Sequence, residues 1–331
     1  MGIAALFLAG LLLMLAAAAL FTNAVEWGAA KLELGHQVTG SLLAAIGTAL
    51  PESIVPVVAL VGGGAAAAQT ATGAILGAPF MLATVGLGLT ACVCLASGRT
   101  RLQVPAGEGR AVLYTFLASY LLLILGAFIP APWRYLDAAL LAGLYALFVR
   151  RSLRRKHPTA EREEEVRLLA GRWLGGGRSA TPSGWLGILQ LVVALVGLSL
   201  ASELFLLALH GIAGVIGLSA LVLALLLVPL ATELPEMAAG TLWVARGRDV
   251  LALGNVTGAM VFQATVPAII GLCFTPWSPS GIGFLAAAAT ATGALVALAA
   301  IDDRGLDARI VAPIGIGLYA LYVVAVVVAR P

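Results

Sequence analysis

The chain has 331 residues, of which 61% are hydrophobic and 11% are charged, and its mean hydropathy is +1.04. Soluble domains are usually about a quarter charged, so this composition excludes a water-soluble globular fold and indicates a protein that folds in lipid. The formal net charge of +3 gives no sign of a nucleic-acid partner.

Ten apolar stretches follow one another along the chain. About 20 apolar residues cross a hydrocarbon core of ~30 Å. The first stretch has no basic n-region and is longer than the roughly 7–15 residues of a signal-peptide core, so we expect it to be retained as a helix. We predict an all-α membrane protein with ten transmembrane helices, at residues 3–25, 39–62, 70–96, 111–130, 134–149, 184–209, 216–244, 250–275, 281–301 and 310–329.

The basic residues are distributed unevenly among the loops. If the N-terminus lies outside, 17 of the 19 lysines and arginines fall in inside loops, and only Arg134 and Arg330 fall outside. Because basic residues favour the cytoplasmic side, we predict that both termini lie outside a prokaryotic inner membrane and that loop 150–183 is cytoplasmic. The last inside loop carries charges that we expect to be solvated: Asp302, Asp303, Arg304, Asp307 and Arg309.

A long polar segment divides the chain. It contains an acidic run at 161–165 and three glycines at 175–177, and at roughly thirty residues it is too short for a core of its own. We expect residues 151–183 to be a solvated cytoplasmic linker, with regulatory ion binding as the alternative. It separates a first five-helix repeat, 1–150, from a second, 184–331. Because five is odd, the second repeat enters the membrane in the opposite sense, as in inverted-repeat transporters.

Two pairs of short motifs recur in the two halves. GTALPE at residues 47–52 matches ATELPE at 231–236, with Thr, Leu, Pro and Glu in the same places. Further along, GAILGA at 73–78 matches GNVTGA at 254–259. Glycines four residues apart let neighbouring helices pack closely. Two separate matches in the same order indicate that the halves are repeats.

The first pair of motifs places oxygen ligands inside apolar spans. A carboxylate near a helix centre costs at least ~2.5–3.5 kcal/mol on insertion scales, so its presence demands a compensating role. The proline of each motif has no N–H and frees the carbonyl oxygen four residues earlier. The threonine lies four residues before the last glutamate, on the same helix face. We predict a cation site with these ligands: Gly47, Thr48, Glu52, Ala231, Thr232, Glu233 and Glu236.

Hard oxygen ligands of this kind suit Ca²⁺, which takes 6–8 of them, and also Na⁺, and they disfavour transition metals. The three cysteines, Cys92, Cys94 and Cys273, lie in apolar runs without metal-ligand spacing, which excludes a zinc site and a disulfide framework. We therefore expect no cofactor, with Ca²⁺ and Na⁺ or H⁺ as transported substrates.

The repeated motifs resemble the α-repeats of the cation/Ca²⁺ exchanger superfamily, in particular the membrane region of sodium/calcium exchangers. The resemblance rests on Leu-Pro-Glu after Gly-Thr or Ala-Thr, followed in each half by a Gly-x-x-x-Gly helix. It implies a ten-helix antiporter with alternating access, in which two core helices from each half enclose the ions. It also implies that Thr48, Glu52, Thr232 and Glu236 are ion ligands.

The sequence departs from the family pattern at several positions. Pro79 and Met260 offer no side-chain oxygen where the family has a polar ligand, whereas Glu233 puts a carboxylate where it has serine. At least three side-chain ligands are therefore missing and one carboxylate is gained. The substituted positions are Ala49, Ala74, Pro79, Ala231, Glu233, Met260 and Gln263, while Asn255 is retained.

Glu233 lies three residues before Glu236, so the two side chains are neighbours on a helix surface. If both face the cavity of Glu52, up to three negative charges meet there, and each ionisation opposes the next. We then expect one of the three to hold a proton that is released when a cation binds, which favours H⁺ over Na⁺ as the coupling ion. In the alternative, Glu233 lies neutral and hydrogen-bonded at a helix interface.

The leading interpretation is a secondary-active antiporter that exchanges Ca²⁺ or a related cation for H⁺ or Na⁺. Its expected partners are inorganic cations and the lipid bilayer, and no protein partner is inferred. One alternative is an exchanger-like protein that does not transport, which the missing ligands favour. The other is an intramembrane enzyme acting on lipid. Two observations argue against it: the acids repeat symmetrically, and no Ser/His constellation is present at a membrane face.

Overall fold

The structure is a computed structural model that describes residues 2–31, 51–154, 168–169, 184–216 and 220–328. These ranges fold into thirteen α-helices and three short strands. The elements are α1 Ile3–Lys31, α2 Pro51–Gly62, α3 Ala65–Met81, α4 Leu87–Ala96, β1 Arg101–Leu102, α5 Ala106–Leu125, α6 Ala131–Arg154, α7 Gly184–Ile216, α8 Ala220–Thr232, α9 Leu234–Ala245, α10 Asp249–Gln263, α11 Val266–Phe274, α12 Gly281–Ala299, β2 Ile301–Asp302, β3 Gly305–Asp307 and α13 Ala308–Val328.

Seven helical segments of the described residues are long and apolar enough to cross a membrane: Ile3–Phe21, Ala66–Ala96, Ala106–Phe128, Gly184–Ile212, Asp249–Phe274, Gly281–Ala299 and Ala308–Val328. Two shorter apolar helices, Glu52–Gly62 and Leu221–Leu230, fall within the second and seventh predicted spans. Helix α6 overlaps the fifth. The fold is thus that of an all-α membrane protein, and the count of ten transmembrane helices stays a prediction.

Helices α3 and α8 lie almost backbone to backbone, and this contact joins the two halves of the chain. A Cβ built on Gly73 would lie 2.5 Å from the carbonyl oxygen of Leu221. One built on Gly77 would lie 2.6 Å from the carbonyl oxygen of Leu225 and 2.5 Å from Cγ of Pro229. Only glycine fits such distances, so the first glycine pair serves close helix packing, as its spacing indicates.

Helices α1 and α7 pack along each other and have a hydrophobic cluster that is separate from the main core. A Cβ on Gly10 would lie 3.0 Å from the backbone nitrogen of Phe205. The cluster contains Met14 and Phe21 of α1 with Leu198 and Phe205 of α7, and it also includes Val55 of α2 and Val228 of α8. The main core joins α3 to α6 with α9 to α13, through residues such as Ile75, Leu113, Leu141, Val256 and Val311. The α1–α7 pair is therefore a distinct packing unit.

The strands form a small antiparallel sheet in the order β1-β3-β2. Arg101 bridges it, with Nη1 2.6 Å from Oδ1 of Asp302 and Nη2 3.0 Å from Oδ2 of Asp307. Arg309 also donates to Asp307, over 2.7 Å. We expected these charges to be solvated. That holds for Asp303, which is exposed, but it is wrong for Asp307, which is buried because two arginines hold it.

Contacts between loops connect the two halves at two places. In the first, Arg99 donates to Asp249 over 2.6 Å, alongside the sheet. In the second, the indole nitrogen of Trp277 donates to the Leu123 carbonyl over 2.9 Å, and Arg134 donates to the Pro276 carbonyl. The first place joins loops that the charge distribution puts inside, and the second joins loops that it puts outside.

The central linker contacts the α1–α7 pair at residues 168–169. Leu168 is 1% exposed, and the backbone nitrogen of Leu169 donates to Oδ1 of Asn23 over 2.8 Å. The amide of Gln190 donates to the same Asn23 oxygen over 3.0 Å. At this point the linker packs against the protein, because an apolar side chain and a backbone amide are anchored there. The rest of 155–183 lies outside the described residues.

Acid should weaken the loop sheet through Asp307. The hydrogen bond from Arg309, with the nearby charge of Arg101, holds the pKa of Asp307 at about 2. An unperturbed Asp has a pKa of about 3.9. Because the folded-state pKa is depressed, the ionised carboxylate stabilises the fold above that value, and this contribution disappears as the pH falls towards 2.

The prediction is that Asp307→Asn lowers the melting temperature in detergent at neutral pH and flattens its decline in acid. Asp303→Asn is the matched control, because Asp303 is exposed in the same loop. Equal melting temperatures and equal acid sensitivity for Asp307→Asn and wild type would show that the ion pairs of Asp307 contribute nothing to the stability of the fold.

Candidate functional site

The second motif lies at a break between two helices. Helix α8 ends at Thr232 and α9 begins at Leu234, with a proline in its first turn. Pro235 has no N–H to donate to the carbonyl of Ala231, which explains why the helical hydrogen bonding is interrupted here. Glu233 occupies the break itself, with φ −85° and ψ −8°. The break therefore frees backbone oxygen and places a carboxylate beside it, as the motif predicts.

The first motif is described from Pro51 onward. Helix α2 begins there, and Glu52 lies in its first turn. Glu236 lies in the first turn of α9 in the same way. The partial positive charge of a helix N-terminus stabilises a carboxylate in the first turn. Gly47 and Thr48, predicted as ligands, lie outside the described residues, so their ligand role stays a prediction.

Three carboxylates from the two motifs meet inside the protein. Glu52, Glu233 and Glu236 each offer one oxygen, and these oxygens all lie within 4.8 Å of one another. The residues are 2%, 0% and 0% exposed. The predicted approach of Glu52 to Glu236 is therefore found. Glu233 also faces the cluster, so the alternative of a separate helix interface does not describe it.

Hydrogen bonds fix Glu233 within this carboxylate cluster. Its Oε2 accepts from Nε2 of Gln263 over 2.9 Å, and its Oε1 accepts from the hydroxyl of Thr232 over 3.4 Å. Both carboxyl oxygens of Glu52 are buried and have no hydrogen-bond partner among the described residues. Burial and mutual repulsion both oppose ionisation of neighbouring carboxyl groups, so three charges together in this cluster call for a proton or a cation.

The surroundings of the cluster contain few compensating charges. Among the ion pairs of the described residues, none includes Glu52 or Glu233. Repulsion between buried carboxylates is therefore relieved by protons or by bound cations. Asn255 donates to the backbone carbonyl of Glu236 over 3.5 Å, so α10 supports the chain at this glutamate.

The two positions without side-chain oxygen are buried as expected. Met260 is 0% exposed on α10, and Pro79 is buried within α3. Neither can coordinate a hard cation. The side-chain oxygens of the cluster and of the two residues bonded to Glu233 are the three carboxylates, the Thr232 hydroxyl and the amide oxygen of Gln263. That amide oxygen is buried and has no hydrogen-bond partner among the described residues.

Sequence reasoning identified Gln263 as a departure from the family pattern and missed its contact with Glu233. The two are thirty residues apart on different helices, so no local pattern connects them. Asp137 was also missed. It is a carboxylic acid inside the fifth predicted span, and the signal that would have found it is an ionisable residue in an apolar stretch.

This arrangement defines an integral membrane protein with a buried acidic site shared between two sequence repeats. The family model described as "Sodium/calcium exchanger protein" matches residues 2–154 and again residues 186–330. The chain therefore belongs to the sodium/calcium exchanger protein family. The members of this family and the solved structures that resemble the chain are transporters rather than enzymes.

Two relatives extend this result in sequence. The chain is 32% identical over 120 residues to the "Putative antiporter CaxA" of Alkalimonas amylolytica. That match covers 36% of this chain and 35% of the relative, so the chain spans about a third of the length of this curated relative. The chain is 24% identical over 272 residues to an uncharacterized membrane protein of Methanocaldococcus jannaschii, covering 81% of this chain and 80% of the other.

Two solved structures share the fold. The H⁺/Ca²⁺ exchanger CAX superposes with a TM-score of 0.76 at 19% identity, covering all of this chain and 82% of that one. The sodium-calcium exchanger NCX_Mj superposes with a TM-score of 0.60 at 22% identity, covering 98% of each chain. At these identities the similarity establishes the fold.

Proposed function

We propose that this protein is a secondary-active antiporter that moves Ca²⁺ or a related hard cation across the membrane in exchange for H⁺ or Na⁺. The observation that carries the proposal is the meeting of three buried carboxylates from two sequence repeats within 4.8 Å. Such oxygens are the ligands that hard cations take. A cation bound there contacts both halves of the chain, so movement of the halves opens the site to one side and then to the other.

The architecture that we propose is two inverted five-helix repeats, over residues 1–150 and 184–331, joined by the linker 151–183. The family model matches once in each half, and the motifs recur in the same order. The contacts between loops support the inversion. The loop after α4 contacts the loop before α13, while the loop after α11 contacts the loop before α6. The loop after α4 corresponds in the repeat to the loop after α11, and the loop before α6 corresponds to the loop before α13. Each contact therefore joins the same two kinds of loop, with the two halves exchanged.

The same reasoning supports the proposed orientation. Arg99, Arg101, Arg304 and Arg309 gather in one group of loops, and Arg134 lies in the other. Since basic residues favour the cytoplasmic side, we place the first group in the cytoplasm and both termini outside, in a prokaryotic inner membrane.

Flux measurements in proteoliposomes test the function. Purified protein should take up Ca²⁺ when a gradient of the coupling ion is imposed, and collapse of that gradient should stop the uptake. Parallel vesicles with an H⁺ gradient or a Na⁺ gradient identify the coupling ion. If neither gradient drives Ca²⁺ uptake by stably folded protein, the exchange proposal fails.

That failure would favour the second candidate, an exchanger-like protein that binds without transporting. The absence of side-chain oxygen at Pro79 and Met260 favours it specifically, because these positions leave the cluster with fewer ligands than the family pattern provides. Titration calorimetry with Ca²⁺ then distinguishes the two cases. A protein that binds without transporting gives a saturable heat of binding, whereas a protein that has lost the site gives none.

The proposed coupling to H⁺ predicts proton release on cation binding. Protein in weakly buffered detergent solution should acidify the medium when Ca²⁺ is added, because the cation replaces a proton in relieving the repulsion between the three carboxylates. Glu233→Ser restores the family residue and removes one of three like charges, so it should reduce the proton yield. Asp303→Asn, far from the cluster in an exposed loop, should release as many protons as wild type. Absence of proton release in wild type, with Na⁺ competing against Ca²⁺, would instead assign the coupling to Na⁺.

A further inference from the structure

A fourth buried carboxyl group lies apart from the cluster. Asp137 is on α6 and is 3% exposed, and neither of its carboxyl oxygens has a hydrogen-bond partner among the described residues. It shares a helix face with Leu141 and Tyr145, which follow at intervals of four residues. Buried polar groups in proteins are nearly always hydrogen-bonded, so a lone carboxyl group in this position requires an explanation.

The groups packed around the carboxyl of Asp137 from other helices include the uncharged residues Gly126 and Leu272. Its Oδ2 lies 2.8 Å from the place where a Cβ of Gly126 would be, and the side chain of Leu272 lies against the same glycine. The carboxyl group is therefore held between the end of α5 and helix α11. Gly126 makes room for it, since any side chain there would occupy the space of the carboxyl oxygen.

The charged and titratable groups on the packed elements are few, and Arg110 and Asp249 bond to Ile301 and Arg99. On α6, one turn before Asp137, the guanidinium of Arg134 is bonded to the carbonyls of Ile129 and Pro276. Helix α11 carries no charged residue. The groups on α5, α10 and α11 are Glu108, Arg110, Tyr114, Tyr120, Asp249 and Cys273.

Ionisation of Asp137 in this environment is costly. A carboxylate within an apolar span costs at least ~2.5–3.5 kcal/mol, and no described cation offsets it. The neutral acid matches the surroundings, so in this conformation Asp137 carries a proton. A buried acid that carries a proton and lies close to the loops can exchange that proton with the aqueous side.

A second buried polar group lies on the same face of α6 as Asp137. Tyr145 lies eight residues after Asp137, about 12 Å along the helix. Its ring centroid is 5.9 Å from that of Phe262, and its hydroxyl is buried without a hydrogen-bond partner among the described residues. Phe262 precedes Gln263, which donates to Glu233. Asp137 and Tyr145 thus share one helix face, the first close to the loop that holds Arg134 and the second in contact with the residue that precedes Gln263.

We propose that Asp137 is a proton-exchanging carboxyl group on the route between this loop face and the carboxylate cluster. It binds a proton from the aqueous side and passes it inward to the cluster, and when transport runs in the reverse direction the proton leaves through the same oxygen. The proposal rests on the proposed exchange of cations for H⁺. It assigns Asp137 no contact with the transported cation, because the cation occupies the cluster.

Two transport modes test this role with Asp137→Asn. Asparagine has the shape of the neutral acid but cannot exchange a proton. Uptake of Ca²⁺ driven by an H⁺ gradient should fall about tenfold or more and change its pH profile, since a positioned proton-transfer group is usually worth 10²–10⁴ in rate. Self-exchange of Ca²⁺ for Ca²⁺ moves no proton and should stay within about twofold, as should Ca²⁺ affinity. Asp137→Glu should restore part of the H⁺-driven rate.

Infrared difference spectroscopy examines the proton itself, whether or not transport is found. The wild type should show a protonated carboxyl band that disappears in Asp137→Asn and persists in Glu233→Ser. Loss of self-exchange together with H⁺-driven uptake, an unchanged pH profile, or absence of the band would overturn the proposal. So would an Asp137→Asn protein that fails to fold, because that result would make the role structural. Failure of all Ca²⁺ transport by the wild type contradicts the proposed function instead.

Discussion

Replacing Glu52 or Glu236 by glutamine should abolish Ca²⁺ transport while leaving the protein folded and at least as stable as the wild type. Both carboxylates lie in the cluster, where the oxygens are within 4.8 Å of one another. Removing one partner from a buried charge interaction costs about 3–5 kcal/mol, which reduces cation affinity by more than about a hundredfold. Without a cation the same change relieves repulsion, so the melting temperature should hold or rise.

The experiment measures Ca²⁺ flux in proteoliposomes and melting temperature in detergent for each variant. Asp303→Asn is the matched control, because it makes the same acid-to-amide change at an exposed position. It should transport like the wild type. If either cluster variant still transports Ca²⁺, the cation site lies elsewhere. If either variant unfolds without Ca²⁺, the carboxylate has a structural role that the cluster geometry does not explain.

Replacing Gly77 by alanine should prevent correct packing of the two halves. The new Cβ would lie 2.6 Å from the carbonyl oxygen of Leu225 and 2.5 Å from Cγ of Pro229. Neither atom belongs to a flexible side chain, so the backbones themselves have to separate. Overpacking usually costs about 1–3 kcal/mol, and contact with backbone places this substitution at or above the upper end. Because α8 leads directly into the break that holds Glu233, the cluster should also be distorted.

Gly254→Ala is the control that the second repeat offers. Gly254 corresponds in the motif to Gly73, yet no atom of the described residues lies within 4 Å of a Cβ built there. We expect this variant to keep its melting temperature and its flux, while Gly77→Ala loses monodisperse protein on size-exclusion chromatography. Equal behaviour of the two variants would show that α3 and α8 adjust more easily than their distances indicate.

The local features of this protein follow from its sequence because they depend on neighbouring residues. Apolar runs predicted the helices, and the proline of the second motif predicted a freed carbonyl oxygen at the place where the structure interrupts the predicted span 216–244, between Thr232 and Leu234. The approach of Glu52 to Glu236 was also predictable, although the residues are far apart in sequence, because a repeated motif carries information about distant positions.

Contacts without such a repeat were not predictable. The bond between Gln263 and Glu233, and that between Arg99 and Asp249, depend on how separate helices pack. Charge patterning suggested solvated loops, whereas Asp307 is buried. Arg101, which pairs with it, comes from a distant loop and reaches it only after folding. Asp137 has no counterpart in any motif, and its isolation is visible only when the helices around it are in place.

The close contact of α3 with α8 has a consequence for the synthesis of the protein. Gly73 and Gly77 belong to the first half, but the backbone that fills their groove arrives only with residues 221–229. When the first half of the chain has been inserted, the groove at these two glycines therefore still lacks the backbone that fills it. The partly made chain has to gain a further part, less than half, of its remaining length before that groove closes. During this interval the exposed glycines are open to wrong helices, so the order in which the helices are delivered becomes part of how this protein reaches its fold.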